Sequence, residues 1–414
     1  MVLKLKNVGL IESASIELNG ITVIAGNNNS GKSTVSKALY CIGSSYSDTA
    51  NQLLLYRMEA IARRTSFEFA KLLFDDKEKY VNDVALISEL LATHHELKNI
   101  GLPFMDRDDG ENENPNAQVD KLSRYLSGIL SMPDLELMTG ILTRKLDNEF
   151  DSQVHNVHAM DYFSRISLGF EQNEVSVEIN ENSISKVSDI IDVNNGVVYI
   201  DDINVIDISI RFHWRTRGFM PHGSHKQHLM NLLDEGSSDE ALIDEIIASK
   251  KLSKVFELIK KVCPGKIISR GRSRKYSEGK HDEEISLVNV SMGIKAFAII
   301  KTLLQKNWLK EGAIVILDEP EIHLHPEWQL VYAQMIVLLH KEFNISMLIN
   351  SHSPYFVMAI EDYSETHGVL DKCKFYLAES TKKSASFKDV TGSTKEVYSK
   401  FLAPMQELEN VRYS

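Results

Sequence analysis

The sequence has few cysteines and no excess of basic residues. Only three cysteines occur in 414 residues, Cys41, Cys263 and Cys373, and no two of them form a CxxC pair. An odd number of widely spaced cysteines argues against a disulfide framework and against a zinc site built on thiolates. The formal net charge of -12 excludes attraction of the whole protein to nucleic acid or to an anionic membrane. Such binding would need a local basic patch.

Long apolar runs are also absent. No stretch approaches about 18 consecutive apolar residues, and the N-terminal sequence MVLKLKNVGL lacks the apolar core of a signal peptide. We therefore expect a cytoplasmic protein. With 43% hydrophobic residues the chain can bury a sizeable core, and its length predicts a large domain that carries an insertion or a second lobe.

The apolar pattern predicts an α/β fold with a parallel core sheet. Residues 3–8 and 14–18 alternate as half-buried strands do, and Ile21–Ala25 is a continuous apolar run suited to a central strand. Ala313–Leu317 and Ile345–Asn350 are further runs of this kind, and helical patterns precede both. Strands that alternate with helices are typical of a parallel sheet.

The chain divides into four predicted regions. A solvated loop is expected over 106–116, where acids, Asn, Gly and Pro replace apolar residues, and Gly196–Ile208 is predicted as a strand. The regions are the N-terminal half of the core at 1–46, a mostly helical insertion at 47–162, a middle region of strands and helix at 163–284, and the C-terminal half of the core at 285–414.

A glycine-rich loop follows the strand Ile21–Ala25. Its sequence, GNNNSGKS from residue 26 to residue 33, fits the pattern GxxxxGK[ST]. In such a loop the backbone N–H groups and the helix N-terminus attract the phosphates of a nucleotide. Lys32 would neutralise the β- and γ-oxygens, Ser33 would hold Mg²⁺ through its hydroxyl, and Thr34 would bond a phosphate further back.

The stretch ILDEPEIHLHP, residues 316–326, has two interpretations. An acid at the end of an apolar strand can complete the metal shell of a phosphate-binding loop, so that Asp318 would bind Mg²⁺ and Glu319 would polarise the attacking water. Alternatively, His323 and His325 would belong to a transition-metal site. No third ligand has matching spacing, and the proline after HLH indicates a turn. The nucleotide interpretation is therefore favoured.

Two more segments fit a nucleotide site. LINSHSP places His352 just after an apolar strand, where it could reach the γ-phosphate. NVSMGIKAFA places Ser291 and Gly293 at the start of a helix, whose N-terminus attracts anions. An ordinary N-cap serine is the other interpretation of Ser291. Because the glycine-rich loop already binds one triphosphate, a second such helix start favours a nucleotide held by another subunit.

In this order, the four segments resemble the ABC-type ATPase superfamily, including its SMC and RecF branch and the OLD-like ATPases of bacteria. ILDEPEIHLHP and NSHSPYF resemble the OLD-like branch in particular. Asn29 stands where glycine is common, which is tolerable because asparagine adopts left-handed backbone readily. GNNNSGKS is similar to the family loop GxNxSGKS through Gly26, Asn28, Ser30, Gly31, Lys32 and Ser33.

The resemblance implies a P-loop NTPase with a parallel core sheet, an antiparallel β subdomain and a helical insertion. It also implies ATP and Mg²⁺ as cofactors, and an oligomer of two or more copies with ATP between subunits. Ser291 and Gly293 would form the signature motif, Glu319 would be the general base, and His352 the switch histidine. VSMGI keeps only the serine and one glycine of the family motif LSGGQ, and no glutamine is assigned to the Q-loop.

Among ABC-type ATPases, the motif style resembles the ATPase subunit of Septu-type antiphage systems, called PtuA. That resemblance implies a separate HNH-type nuclease partner. A transporter ATPase would be shorter, and an SMC protein would carry far longer heptad repeats. Too few residues follow 373–380 for the Toprim domain of an OLD nuclease, so we expect an ATPase without its own nuclease.

An ATPase of the RecF kind that binds DNA directly is the alternative. The segments 211–217 and 266–280 contain basic residues beside aromatic ones, which could contact phosphates and stack on bases. A solvated hairpin balanced by the acids of HDEE, residues 281–284, is the other interpretation of 266–280. The sequence also holds a histidine cluster without a cysteine or carboxylate in register, which disfavours zinc. Its members are His213, His222, His225 and His228.

Overall fold

A computed structural model describes residues 1–65, 67–75, 84–93, 115–170, 173–191, 196–207, 224–234, 253–270, 273–278 and 284–413. Within them, eleven strands form one sheet and three more form a small second sheet. The strands are β1 (Val2–Val8), β2 (Ile11–Glu17), β3 (Ile21–Gly26), β4 (Phe163–Gly169), β5 (Glu174–Asn180), β6 (Ser183–Val187), β7 (Val197–Ile200), β8 (Lys266–Arg270), β9 (Ser273–Ser277), β10 (Glu284–Ser286), β11 (Ile314–Asp318), β12 (Ser346–Ser351), β13 (Cys373–Ser380) and β14 (Ala385–Asp389).

The helices of the described residues pack around the large sheet or beside it. None of them is long and apolar enough to cross a membrane. They are α1 (Lys32–Ser45), α2 (Thr49–Ala62), α3 (Phe67–Asp75), α4 (Val84–Thr93), α5 (Pro115–Ser131), α6 (Asp134–Phe150), α7 (His225–Asp234), α8 (Ser253–Val262), α9 (Met292–Gln305), α10 (Pro326–Phe343), α11 (Pro354–Thr366) and α12 (Lys395–Tyr413).

The large sheet has a parallel half and a mostly antiparallel half. Strands β13, β3, β12, β11 and β7 are neighbours in that order and run parallel. On the other side, β6, β5, β4, β1 and β2 follow one another antiparallel, and β14 joins them to β13. The predicted α/β fold with a parallel core and an antiparallel β part is therefore confirmed.

The apolar side chains of the central strands contribute to two hydrophobic cores, one on each face of the sheet. Along β3, Val23 packs into a core shared with α9, α10 and α11, whereas Ile24 packs into a core shared with α1. Successive side chains of a strand point to opposite faces. A strand covered on both faces therefore has no polar alternation, which explains the unbroken apolar sequence of β3. A third, smaller cluster joins α2 to α5.

Two sequence-based boundaries differ from the structure. The predicted strand Gly196–Ile208 is shorter, because β7 ends at Ile200 and a 3-10 helix occupies Ile203–Asp207. The carboxylate of Asp202 accepts the backbone N–H of Asn204 at 2.9 Å, which favours a turn over an extended strand. Residues 106–114 of the predicted loop lie outside the described residues, and α5 begins at Pro115. The division into four regions stays a prediction.

Candidate active site

The glycine-rich loop connects β3 to α1. Gly31 has a φ of 85°, a backbone conformation that favours glycine, and a Cβ at this position would make a tight contact of 3.2 Å with the Cβ of Ala385. Asn29 has a φ of 60°, which confirms the prediction that asparagine adopts left-handed backbone here.

Lys32 is the first residue of α1 and its side chain is only 4% exposed. Its ammonium donates to the carbonyl oxygens of Gly26 and Asn27, both at 2.9 Å. The same ammonium lies 3.6 Å from Oε1 of Glu319, which follows β11. The loop therefore holds its lysine folded back over the backbone, beside the acid that the sequence predicts as the general base.

A cleft of about 630 Å³ opens over the loop. Residues 28–34 line it together with Asp318 and Glu319, so the structure brings the predicted phosphate-binding and acidic residues to one volume. Asp201, which follows β7, also lines the cleft. Sequence reasoning missed this carboxylate, although its position after an apolar strand is the same signal that indicated Asp318.

Both carboxylate oxygens of Asp318 are held by neighbours. The amide of Asn350 donates to Oδ1 at 2.9 Å and to the hydroxyl of Ser36 on α1 at 2.8 Å. The phenol of Tyr199 on β7 donates to Oδ2 at 3.1 Å. Burial, followed by the negative charges of Asp318 and Asp201, raises the pKa of Tyr199, so the phenol stays protonated and remains a donor.

These contacts fix the direction of the Asp318 carboxylate, which lines the same cleft as Ser33. Carboxylate and hydroxyl oxygens are the hard ligands that Mg²⁺ prefers, and Mg²⁺ is commonly held by few protein ligands together with phosphate oxygens. Asp318 and Ser33 both line the cleft. Their donor set therefore fits a magnesium ion that is shared with a nucleotide.

Glu319 adopts an uncommon backbone conformation. Its φ is 50°, and its N–H donates to the carbonyl of Asn350 at 2.9 Å. A non-glycine residue with positive φ is costly and persists only where its surroundings impose it, as active sites often do. Its Oε1 lies 3.4 Å from Nδ1 of His352, whose side chain is 42% exposed. The structure therefore brings the predicted general base and switch histidine together.

Ser291 and Gly293 lie at the start of α9. Ser291 is the N-cap residue, and its hydroxyl accepts the N–H of Ile294 at 3.5 Å. Gly293 packs against the ring of Trp328 on α10, because a Cβ there would meet that ring at 2.6 Å. Neither residue is among the described residues that line the cleft. Their predicted role in a nucleotide site stays a prediction.

His225 and His228 are the members of the histidine cluster that the structure describes. The ring of His225 lies between two carboxylates, with Nδ1 2.6 Å from Glu149 and Nε2 2.9 Å from Asp201. Burial lowers the pKa of His228 to about 4. Among the described residues, no group of three or more His, Cys, Asp and Glu could hold a metal ion. His323 and His325 are both exposed, and His325 precedes α10 as its N-cap residue.

Within the basic stretch 266–280, the described strands β8 and β9 pair antiparallel, and β9 also pairs with β10. Arg274 is buried and its guanidinium pairs with Asp234 at 2.5 Å, so this residue of the segment is not exposed to contact phosphates. Lys275 pairs with Glu284 at 2.9 Å, as expected of a hairpin balanced by the acids that follow it. The other basic segment, 211–217, lies outside the described residues.

Comparison with known proteins identifies the family. Residues 1–357 match the family described as the AAA ATPase domain. The chain belongs to this family. Membership implies that the protein binds ATP, and it supports ATPase activity in general terms.

The chain is also similar to a curated relative, a retron Vc95 probable ATPase from Vibrio cholerae serotype O1 biovar El Tor. The two are 32% identical over 92 residues, which are 20% of this chain and 17% of the relative. The match therefore spans about a sixth of the relative's length.

Two solved structures match over nearly the whole chain, though at low similarity. The SMC head domain from Thermotoga maritima is 9% identical with a TM-score of 0.40, covering 94% of this chain and 98% of that one. The Smc head domain from Pyrococcus furiosus, bound to the C-terminal domain of ScpA, is 11% identical with a TM-score of 0.42, covering 99% and 98%.

Proposed function

We propose that this protein binds Mg²⁺-ATP in the cleft and hydrolyses it to ADP and phosphate. The observation that supports this most directly is the convergence of Lys32, Asp318 and Glu319, which come from distant parts of the chain, on one volume. A phosphate-binding loop, a carboxylate that can hold Mg²⁺ and a second acid that can orient water are parts that P-loop NTPases use for phosphoryl transfer to water.

Each residue has a distinct role in this proposal. Backbone N–H groups of Asn28, Ser30 and Gly31 and the start of α1 would bind the phosphates, with Thr34 further back. Ser33 and Asp318 would hold Mg²⁺, which neutralises charge on the β- and γ-phosphates. Lys32 would turn its ammonium from Glu319 to the phosphates, and that exchange would free the carboxylate of Glu319.

The freed carboxylate would polarise the attacking water. Glu319 lies 3.4 Å from His352, whose partly exposed ring can face the γ-phosphate. A carboxylate within hydrogen-bond reach of water is the usual general base for such a step. His352 would respond to the γ-phosphate and link its presence to the conformation of the loop after β12.

Ser291 and Gly293 would serve ATP bound by another copy of the chain. Ser291 is exposed at a helix N-terminus, and Gly293 allows that helix to lie close against Trp328. The N-terminus of a helix favours negative charge. ATP would therefore join the P-loop of one subunit to the signature segment of the next, so that nucleotide state controls quaternary state.

We infer that the ATPase belongs to a bacterial antiphage defence complex of the Septu type, in which a separate HNH-type nuclease is the partner. The motif resemblance to OLD-like ATPases and the similarity to a retron ATPase support a defence role. ATP binding would hold the oligomer in one state, and hydrolysis or loss of nucleotide would change what the nuclease can cut.

Two experiments test these proposals separately. Phosphate release by the purified protein, measured with Mg²⁺ and with EDTA, should show metal-dependent ATP hydrolysis; no hydrolysis under any condition would contradict the enzymatic proposal. Copurification with the products of neighbouring genes should recover a nuclease with HNH chemistry. Recovery of a permease or of repair proteins would contradict the defence proposal and leave the ATPase intact. Salt-sensitive DNA binding by the isolated chain would support the RecF-like alternative.

A further inference from the structure

Glu321 is a buried carboxylate two residues after the proposed general base. It is only 2% exposed, although it lies in the turn that leaves β11. One oxygen, Oε1, accepts the hydroxyl of Ser351 at 2.6 Å and the backbone N–H of His352 at 3.1 Å. The other, Oε2, is buried without a hydrogen-bond partner among the described residues. Burial raises the pKa of this carboxyl.

Burying a carboxylate with one oxygen unpaired is unfavourable, so a side chain of this kind needs a compensating role. Glu321 joins two loops at the edge of the sheet. The first loop follows β11 and carries Glu319, and the second follows β12 and carries His352. The amide of Gln329 on α10 reaches the carbonyl of Glu321 at 3.4 Å and that of Leu324 at 3.2 Å, which adds a third element to this contact.

The same contact explains how Glu319 keeps its positive φ. Its N–H is bonded to Asn350 on β12, and two residues later Glu321 is bonded to Ser351 and His352 on the same strand end. The chain is therefore attached to β12 on both sides of Pro320, so the turn between them has little freedom. Such double attachment is what keeps a residue in a sparsely populated conformation.

We propose that Glu321 is a positioning residue for ATP hydrolysis. It holds the carboxylate of Glu319 and the ring of His352 in a fixed relative position at the cleft. Glu321 lies 3.8 Å from Nδ1 of His352 and is not among the residues that line the cleft. It acts through its neighbours and leaves the binding of ATP to the glycine-rich loop. This inference rests on the proposed function, because it assigns a role within the same site.

Steady-state hydrolysis and equilibrium ATP binding test the proposal in three variants. Glu321→Ala removes both accepted hydrogen bonds, so kcat should fall on the order of tenfold to hundredfold, whereas the Kd and KM for ATP should stay close to wild type. Glu321→Gln keeps an oxygen acceptor of the same shape and should retain most of the activity. Glu365→Ala, which removes an exposed glutamate of α11, is the control and should match wild type.

A thermodynamic cycle separates positioning from a general loss of structure. If Glu321 acts through Glu319, then adding Glu321→Ala to Glu319→Gln should cause little further loss of kcat. If the losses of kcat in the two single variants multiply fully in the double variant, the proposal is overturned. A wild-type kcat in Glu321→Ala, or a loss of ATP affinity that parallels the loss of kcat, would also overturn it. Should Glu321→Ala fail to fold, Ser351→Ala carries the test, because it removes one of the two donors and should slow hydrolysis without weakening ATP binding.

The outcomes distinguish this inference from the function on which it rests. Absence of hydrolysis by the wild-type protein would contradict the proposed function itself. Hydrolysis that depends on Glu319 but is unchanged in Glu321→Ala would contradict only the positioning role.

Discussion

Lys32 Nζ lies 3.6 Å from Oε1 of Glu319, so the lysine of the glycine-rich loop contacts the acid that follows β11. The strands that carry these two loops are not neighbours, since β12 lies between β3 and β11. Their loops meet because parallel strands place their carboxyl ends at one edge of the sheet, where ligands of such sheets bind. The pair marks the point where phosphate and attacking water would meet.

Replacing Lys32 by alanine should weaken ATP binding roughly tenfold to hundredfold, since a charge-assisted hydrogen bond contributes about 1.5–3 kcal/mol. Calorimetric titration with a non-hydrolysable ATP analogue measures the change. Lys382→Ala removes an exposed lysine elsewhere and should bind as wild type does. Unchanged affinity in Lys32→Ala would contradict the phosphate-binding role of the loop.

Replacing Glu319 by glutamine should slow hydrolysis by about a hundredfold or more, while ATP affinity persists. The amide cannot take a proton from water, but the phosphate-binding loop is untouched. Rapid-quench measurement of a single turnover reports the chemical step directly. Equal rates in the variant and the wild type would exclude Glu319 as the general base.

The sequence predicts the local parts of this site better than the contacts between them. The order of β3, glycine-rich loop and α1 is contiguous, so its residue pattern indicated Lys32 correctly as part of the cleft. The contacts of Tyr199 and Asn350 with Asp318 were not predicted, because they depend on β7 and β12 lying on either side of β11. Strand order follows from the packing of the whole chain, and no spacing in the sequence encodes it.

The histidine cluster also shows that residue spacing does not predict contacts between distant parts of the chain. The sequence shows no carboxylate in register with these histidines, whereas in the structure His225 pairs with Glu149 at the end of α6 and with Asp201. The backbone N–H of His225 also donates to Glu149 at 2.7 Å. A carboxylate far upstream in the chain decides the chemistry of this imidazole, and only the fold brings the two together.

Tyr199→Phe should weaken the proposed magnesium site. Loss of the phenol leaves one oxygen of Asp318 without its donor, and removal of such an outer contact costs about tenfold or more in metal affinity. The Mg²⁺ concentration that gives half-maximal hydrolysis should rise accordingly. Tyr376→Phe is a matched control, because that phenol accepts the N–H of Glu17 away from the cleft. An equal rise in both variants would point to a general effect of losing a buried hydroxyl.

His225 should stabilise the fold in a pH-dependent way. Burial opposes its charged form, but the adjacent carboxylates of Asp201 and Glu149 outweigh this and raise the pKa. A raised pKa in the folded state gives a stabilisation that is complete below the unfolded value of about 6.5 and is lost as pH rises through the folded value. Wild type should therefore exceed His225→Gln in stability most clearly at mildly acidic pH, on the order of 3 kcal/mol.

Urea unfolding of both proteins across mildly acidic to alkaline pH measures this difference. The rings of Tyr40 and Tyr199 lie against that of His225, and burial raises the pKa of both phenols, whereas it lowers the pKa of His228 to about 4. None of these three groups therefore changes its charge over this pH range. The difference in unfolding free energy between wild type and His225→Gln therefore reports the contribution of His225. The exposed His158 gives the control variant His158→Gln, which should follow wild type at every pH. A stability difference that does not change with pH would show that His225 contributes by packing alone.

Mixing two inactive variants should restore hydrolysis if ATP lies between subunits. Lys32→Ala disables the loop of its own chain, and Ser291→Arg blocks the helix start that serves the neighbouring chain. In a mixed dimer, one site combines both defects, but the other combines an intact loop with an intact Ser291. Activity should therefore appear on mixing and rise with the fraction of mixed dimers. If one chain alone forms each ATP site, every site in the mixture keeps a defect and no activity returns. That result would contradict the assignment of Ser291 to ATP bound by another copy.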